Sequence, residues 1–146
     1  MGAVAFIFPG QGSQAVGMGK DLRNNFKEAQ EVFEEADDAL KFKLSSLCFE
    51  GPESELNLTY HTQPAVLMVS VAALRVLERR TGIEPEYLAG HSLGEYSALI
   101  AARALQFHEG VKTVQKRGQY MQETVPEGEG GMVALLGLKR EAVEEL

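Results

Sequence analysis

Hydrophobic residues run along this chain in two rhythms. Ala3 to Phe8 is an unbroken apolar run, the pattern of a strand buried on both faces of a parallel sheet. Pro9 ends it. Leu22, Phe26, Ala29, Phe33, Ala36 and Leu40 then recur at spacings of four and three with Lys and Glu between them. That spacing predicts one surface helix whose other face is a solvated run of charge. Residues 45–60 carry no clear period and are expected to be irregular, with Ser46, Cys48 and Tyr60 in structural roles. Thr62-Gln63-Pro64 reads as a helix start, a hydroxyl cap followed by proline in the first turn. Val66, Leu67, Val69, Val71, Leu74 and Leu77 carry that helix to Arg80, and Gly82 supplies its stop. It is apolar around most of its circumference as far as Leu74, which predicts a largely buried helix.

The second half alternates in the same way. Pro85 to Ala89 suits a short buried strand, and Tyr96 to Ala102 has the density of a helix packed on a sheet. A further helix begins near Phe107, with Val111, Val114, Gly118 and Met121 on one face and Lys112 and Lys116 opposite. Arg117 falls on the flank of the apolar stripe, about 70° from its centre at the helical pitch. Gly128 to Gly131 links to a strand over Met132 to Leu138, and a helix opens at Lys139. That helix carries no Gly, Asn or Pro stop signal, and a strand with part of a helix cannot bury its apolar faces alone. The expectation is an interrupted sequence, left with exposed apolar surface around Val133, Leu135 and Val143.

Composition narrows the class. The 146 residues match one ordinary domain, and 45% hydrophobic with 24% charged residues is the balance of a soluble globular protein. A net charge of −7 argues against a nucleic-acid or anionic-membrane partner, because no basic patch supplies phosphate contacts. The single Cys48 cannot form an internal disulfide, which favours a reducing compartment. The run Ala3 to Phe8 is too short for a signal peptide, and Phe6 stands where a myristoylation signal wants Ser or Thr. Asn57-Leu58-Thr59 is a glycosylation sequon only if the chain is secreted. No apolar stretch is long enough to span a membrane. These readings place the chain in the cytoplasm.

Chemistry concentrates at Gly90-His91-Ser92-Leu93-Gly94, a G-x-S-x-G between the predicted strand and helix. Strand, sharp turn and helix are the context of a nucleophile elbow, in which side chains at Gly90 or Gly94 would collide with the crossing elements. The alternative is a tight turn chosen for packing alone. Pro9-Gly10-Gln11-Gly12-Ser13-Gln14 leaves the first strand at its carboxyl end, where parallel sheets place their ligand sites. Between its glycines, Gln11 can offer its backbone N–H and amide; a plain turn is the other reading, and the phosphate-loop pattern is absent. Arg117 either snorkels to the surface or pairs with a buried anion. Gln63 is placed at an exposed helix N-terminus facing the same cleft, and His61 in a loop before it.

Three segments carry a resemblance. Phe8 to Gln14, Gly90 to Leu99 and Gln115 to Gln122 stand in the order and spacing of malonyl-CoA:acyl-carrier-protein transacylases. Thr62-Gln63-Pro64-Ala65 and Gly131-Met132-Val133-Ala134 match as well. The resemblance covers the whole chain but only the amino-terminal half of the family's usual length. It implies an α/β-hydrolase-like parallel sheet core over residues 1–128, and from 129 to 146 the truncated start of a small ferredoxin-like subdomain.

The same resemblance implies a function in fatty acid biosynthesis. Ser92 would take the malonyl group from coenzyme A as an acyl-serine, and the phosphopantetheine thiol of acyl carrier protein would resolve it. The Leu93 and Gln11 N–H groups would hold the oxyanion, and Arg117 would pair with the malonyl carboxylate. His91 abuts the serine, but adjacent residues on such a turn point apart, which gives it a supporting role in the substrate pocket beside Gln63. No cofactor or metal is implied; coenzyme A enters as the substrate thioester. The family's general base is a histidine far downstream, and His61, His91 and His108 do not sit in its motif. Its carboxy-terminal half is therefore an expected partner, beside malonyl-CoA and acyl carrier protein. Two other readings share the elbow: a serine hydrolase or thioesterase, and a non-catalytic fragment that binds only acyl-CoA or its complementary half.

Overall fold

In a computed structural model, which describes residues 2–125, 135–137 and 139–144, the chain forms an α/β fold. Strand β1 (Ala5–Phe8) pairs in parallel with β2 (Tyr87–Gly90), Ala5 opposite Tyr87 and Phe8 opposite Gly90. Parallel pairing demands a crossover between them, and five helices supply it: α1 (Lys20–Asn25), α2 (Lys27–Leu40), α3 (Leu44–Glu50), α4 (Glu53–Leu56) and α5 (Thr59–Thr81). After β2 come α6 (Gly94–Ala101), α7 (Phe107–Thr124) and α8 (Arg140–Glu144). Among the described residues no helix is long and apolar enough to cross a membrane.

Helix α5 is the centre of the core, packed against both α2 and α7, which also touch each other. Val66, Leu67, Met68, Val71 and Ala72 of α5 meet Val32, Phe33 and Ala36 of α2 and Val111 and Val114 of α7, all buried. The stop at Gly82 is as expected: its φ of 64° is the left-handed conformation that glycine adopts freely.

Several expectations differ from the structure. The periodic run from Leu22 to Leu40 is two helices, broken at Phe26, which is extended at φ −134° and ψ 122°. Beside the break the Asn25 side-chain amide donates to the Asp21 carbonyl at 2.8 Å, and the Phe26 N–H closes the last turn of α1 on the Leu22 carbonyl at 3.0 Å. Nor is the polar face of α2 wholly solvated. Asp37 is buried and accepts from the Ser45 N–H at 2.9 Å and the Ser45 hydroxyl at 2.7 Å, capping α3 from outside.

Residues 45–60 are correspondingly ordered into α3, α4 and the first residues of α5. Leu44, Leu47 and Cys48 make a stripe one turn long, too short to register as a period, and all three are buried. Helix α5 starts at Thr59, ahead of Thr62, so Pro64 lies inside it and Gln63 is fully buried. Thr62 is no cap; its hydroxyl donates to the Leu56 carbonyl at 2.6 Å and ties α5 to α4.

The last correction concerns β1. Of its four residues only Phe8 is buried, and Ile7 is 78% exposed. Among the described residues the strands are packed chiefly against α6, and much of the two-stranded sheet lies open. The expected strand over Met132 to Leu138 lies mostly outside the described residues, as does the 128–131 link. Within that stretch 135–137 are described and do not form a strand. The proposed boundary near residue 129 also falls outside them.

Candidate active site

Strand β2 ends at Gly90 and α6 begins at Gly94, so the chain must reverse within three residues. Ser92 takes a φ of 52°, a left-handed conformation that costs a non-glycine residue on the order of 1–3 kcal/mol. The turn is closed by the Gly94 N–H to the His91 carbonyl at 2.8 Å and the Glu95 N–H to the Ser92 carbonyl at 3.2 Å. Both glycines have a steric reason. A Cβ on Gly90 would fall on the Gly94 carbonyl and the Glu95 nitrogen, and one on Gly94 would strike the Phe8 carbonyl. Residue 94 thus passes directly over the end of β1. The serine stands exposed at the top of the strand pair, which is what an elbow is for.

The parallel register brings a second loop alongside. Phe8 pairs with Gly90, so Gln11 and Leu93 each lie three residues beyond partnered positions. The His91 N–H reaches the Phe8 carbonyl at 3.2 Å, and a Cβ on Gly10 would come within 2.6 Å of the His91 oxygen. The two loops are therefore in contact. Neither the Leu93 N–H nor the Gln11 N–H donates to an acceptor among the described residues. Leu93 itself is buried, while the Gln11 side chain reaches Thr59 Oγ1 at 3.4 Å.

From the helical side comes Arg117, in the second half of α7. Its Nη2 donates to Ser92 Oγ at 3.1 Å and its Nη1 to Gln63 Oε1 at 2.7 Å. Its Cζ stands 6.0 Å from the centre of the Tyr96 ring. Arg117 is half-buried and turns inward, and its partners are the neutral Gln63 amide and Ser92 hydroxyl rather than a buried anion. Helix α7 can approach α5 this closely because of Gly118, where a Cβ would lie 2.6 Å from the Tyr60 Cα.

A serine on a strained turn, two N–H groups with no acceptor among the described residues and a guanidinium at hydrogen-bond distance from the serine stand together at the end of the strand pair. In comparison with known proteins, residues 5–145 match the acyl transferase domain model. The chain belongs to the acyl transferase domain family. Over all 146 residues it is 54% identical to the malonyl CoA-acyl carrier protein transacylase of Bacillus subtilis strain 168, covering 46% of that protein. The solved transacylase from Coxiella burnetii superposes with a TM-score of 0.92 at 49% identity, covering 98% of this chain and 45% of that one. A malonyl-transacylase in complex with a type II PKS acyl-carrier protein superposes at 0.91 with 46% identity, covering 99% and 47%. The chain thus spans about half the length of the relatives it matches.

Within this acyl transferase domain the residues expected at the site do converge, with two differences. The sequence places Gln63 at an exposed helix end, whereas it is fully buried, with its amide oxygen on Arg117 and its Nε2 donating to Met121 Sδ at 3.2 Å. Met121 had only been one more apolar residue of the stripe, although its place four residues after Arg117 puts both on one face of α7. His61 is on α5, not in a loop; its Nδ1 lies 2.9 Å from the Glu55 carbonyl oxygen and its ring stacks on Phe42. His108 sits beside Glu109 at the start of α7, 3.0 Å away. The His91 ring lies against Gly10. None of the three makes a hydrogen bond with Ser92 Oγ among the described contacts, where Arg117 is the partner. No group of residues able to hold a metal ion occurs among the described residues.

Proposed function

We propose that this chain supplies the nucleophile, the oxyanion donors and the acyl-selecting arginine of a malonyl-CoA:acyl carrier protein transacylase. The observation that carries the reading is Arg117, anchored on buried Gln63 and aimed at Ser92 Oγ from 3.1 Å. A cation so close to the nucleophile is of no use to a general esterase or thioesterase. It suits an acyl group that ends in a carboxylate, which a guanidinium pairs with in two-pronged fashion.

Ser92 Oγ attacks the thioester carbonyl of malonyl-CoA, the carbon–sulfur bond breaks, and coenzyme A leaves as the thiol. The negative charge that develops on the carbonyl oxygen is met by the Leu93 and Gln11 N–H groups, each worth a factor of about 10² to 10³ in rate. The phosphopantetheine thiol of the carrier protein then attacks the malonyl-serine and regenerates Ser92. His91 supports the pocket from beside the Gly10 loop.

The Ser92 proton needs an acceptor, and we place it on a histidine in the portion of the relatives beyond this chain's match. That portion would also complete the α/β-hydrolase-like sheet and a ferredoxin-like subdomain beginning near residue 129. The location we assign is the cytoplasm, where carrier protein and malonyl-CoA are both to be met.

Arg117→Ala in the complete enzyme tests the reading. Malonyl transfer should lose about 2–5 kcal/mol of transition-state stabilisation, as expected when one partner of a close charge pair is removed. Acetyl transfer should lose far less, since acetyl has no carboxylate. Equal losses for both acyl groups would reduce Arg117 to a structural role.

A further inference from the structure

The contacts of Gln63 point beyond Arg117. Gln63 is fully buried on α5, and both ends of its amide are held by one helix, α7. Oε1 accepts from Arg117 Nη1 at 2.7 Å, and Nε2 donates to Met121 Sδ at 3.2 Å. Only one orientation of this amide works. A guanidinium has donors and no acceptor, so a reversed amide would set N–H against N–H in a place that water does not reach. Met121 is what receives the other end: a thioether is a weak acceptor, but here it is the partner of a buried donor that would otherwise have none.

The consequence falls on Arg117. With Nη1 committed to Gln63, the Nε–Nη2 edge of the guanidinium is the one left to face the nucleophile. Nη2 already lies 3.1 Å from Ser92 Oγ, and Nε makes no hydrogen bond among the described contacts. That edge carries two parallel N–H groups, the geometry that a carboxylate accepts in bidentate fashion.

We infer that Met121 is a positioning residue for acyl-group choice: its sulfur fixes the Gln63 amide, and through it the edge of Arg117 that receives the substrate carboxylate. This deepens the transacylase reading and rests on it. Met121→Leu keeps the volume but removes the acceptor. The unpartnered Nε2 then draws the amide away from Arg117, and the guanidinium loses its fixed edge. Acetyl has no carboxylate to miss.

The test measures malonyl and acetyl transfer in the complete enzyme for Met121→Leu, Gln63→Glu, the double variant and Arg117→Ala. Met121→Leu should lower the malonyl-to-acetyl ratio of kcat/KM about 5- to 10-fold, the size of one modest hydrogen bond, with the change in the KM for malonyl-CoA. In the Gln63→Glu background the same substitution should shift that ratio by less than about twofold. A carboxylate presents an acceptor to Arg117 in either orientation and has no N–H in search of sulfur. Because the ratio compares two substrates on one enzyme, partial unfolding of a variant does not move it. An unchanged ratio in Met121→Leu, or an equal loss in both backgrounds, overturns the inference while Arg117→Ala still collapses the ratio. A ratio that survives Arg117→Ala overturns the transacylase reading and this inference together.

Discussion

Helix α5 and strand β1 are written in the same apolar alphabet and meet different surroundings. Ala65 through Met68, Val71 and Ala72 are each at most 3% exposed, whereas Ile7 of β1 is 78% exposed and Tyr87, opposite Ala5 in the sheet, is 64% exposed. The helix is covered by α2 and α7, which also meet each other; among the described residues the strand pair leans chiefly on α6. The difference explains where the site can be built. Arg117 and Gln63 project from the enclosed layer, so their positions are held by a close-packed core. Ser92 projects from the ends of the open sheet, whose register is held by backbone pairing and by glycines that nothing larger can replace.

Three changes test that contrast, in descending size. Leu67→Ala, in the enclosed layer, should lower the unfolding free energy by about 2–5 kcal/mol, read from the urea midpoint at constant slope. A loss under about 1 kcal/mol would show that the layer is loosely packed. Cys48 offers a pH probe of the same layer. Burial, with Asp37 adding to it, pushes the thiol up from 9.0 to about 12. The fold therefore keeps the thiol neutral while the unfolded chain ionises above pH 9. Stability from this group is complete below pH 9 and declines toward pH 12 by up to about 1.4 kcal/mol per unit. Cys48→Ala should remove that slope between pH 9 and 11, and a slope that persists would assign it to other groups. Ile7→Ser should be the smallest, within about 0.5 kcal/mol in this chain, because the side chain already meets solvent. In a protein of the relatives' full length the same substitution should cost about 2 kcal/mol or more if the sheet is covered there. Equal effects in both would mean that nothing covers it.

How much of this was legible beforehand varies with the kind of signal. The turn at Ser92 was readable because Gly90 is forced by backbone only four and five residues on, and Gly94 by the end of the neighbouring strand that the strand–turn–helix pattern implies. The long α5 and α7 were readable because their apolar faces persist over many turns. Short helices were not: Leu44, Leu47 and Cys48 give α3 a single turn of pattern, and its cap comes from Asp37 on another helix. The break at Phe26 falls within a four-and-three spacing that continues on both sides of it, so periodicity does not record it. The exposure of β1 is not written in its apolar run, which reports what a strand is suited to and not what lies beside it. Arg117 stood out by its angle on the wheel, but Met121, apolar in type and on the apolar face, gave no sign of its contact with Gln63.

In the proposed mechanism Ser92 carries the acyl group. Two other serines lie near enough to be mistaken for it: Ser13, whose hydroxyl donates to the Gly10 carbonyl at 2.8 Å, and Ser97, which is fully buried. The decisive measurement is the intact and peptide mass of the complete enzyme after brief exposure to malonyl-CoA without carrier protein. One malonyl group on the peptide holding His91-Ser92-Leu93, lost on adding carrier protein, is the predicted result. Malonyl on Ser13 or Ser97, or no stable adduct while transfer proceeds, would contradict it.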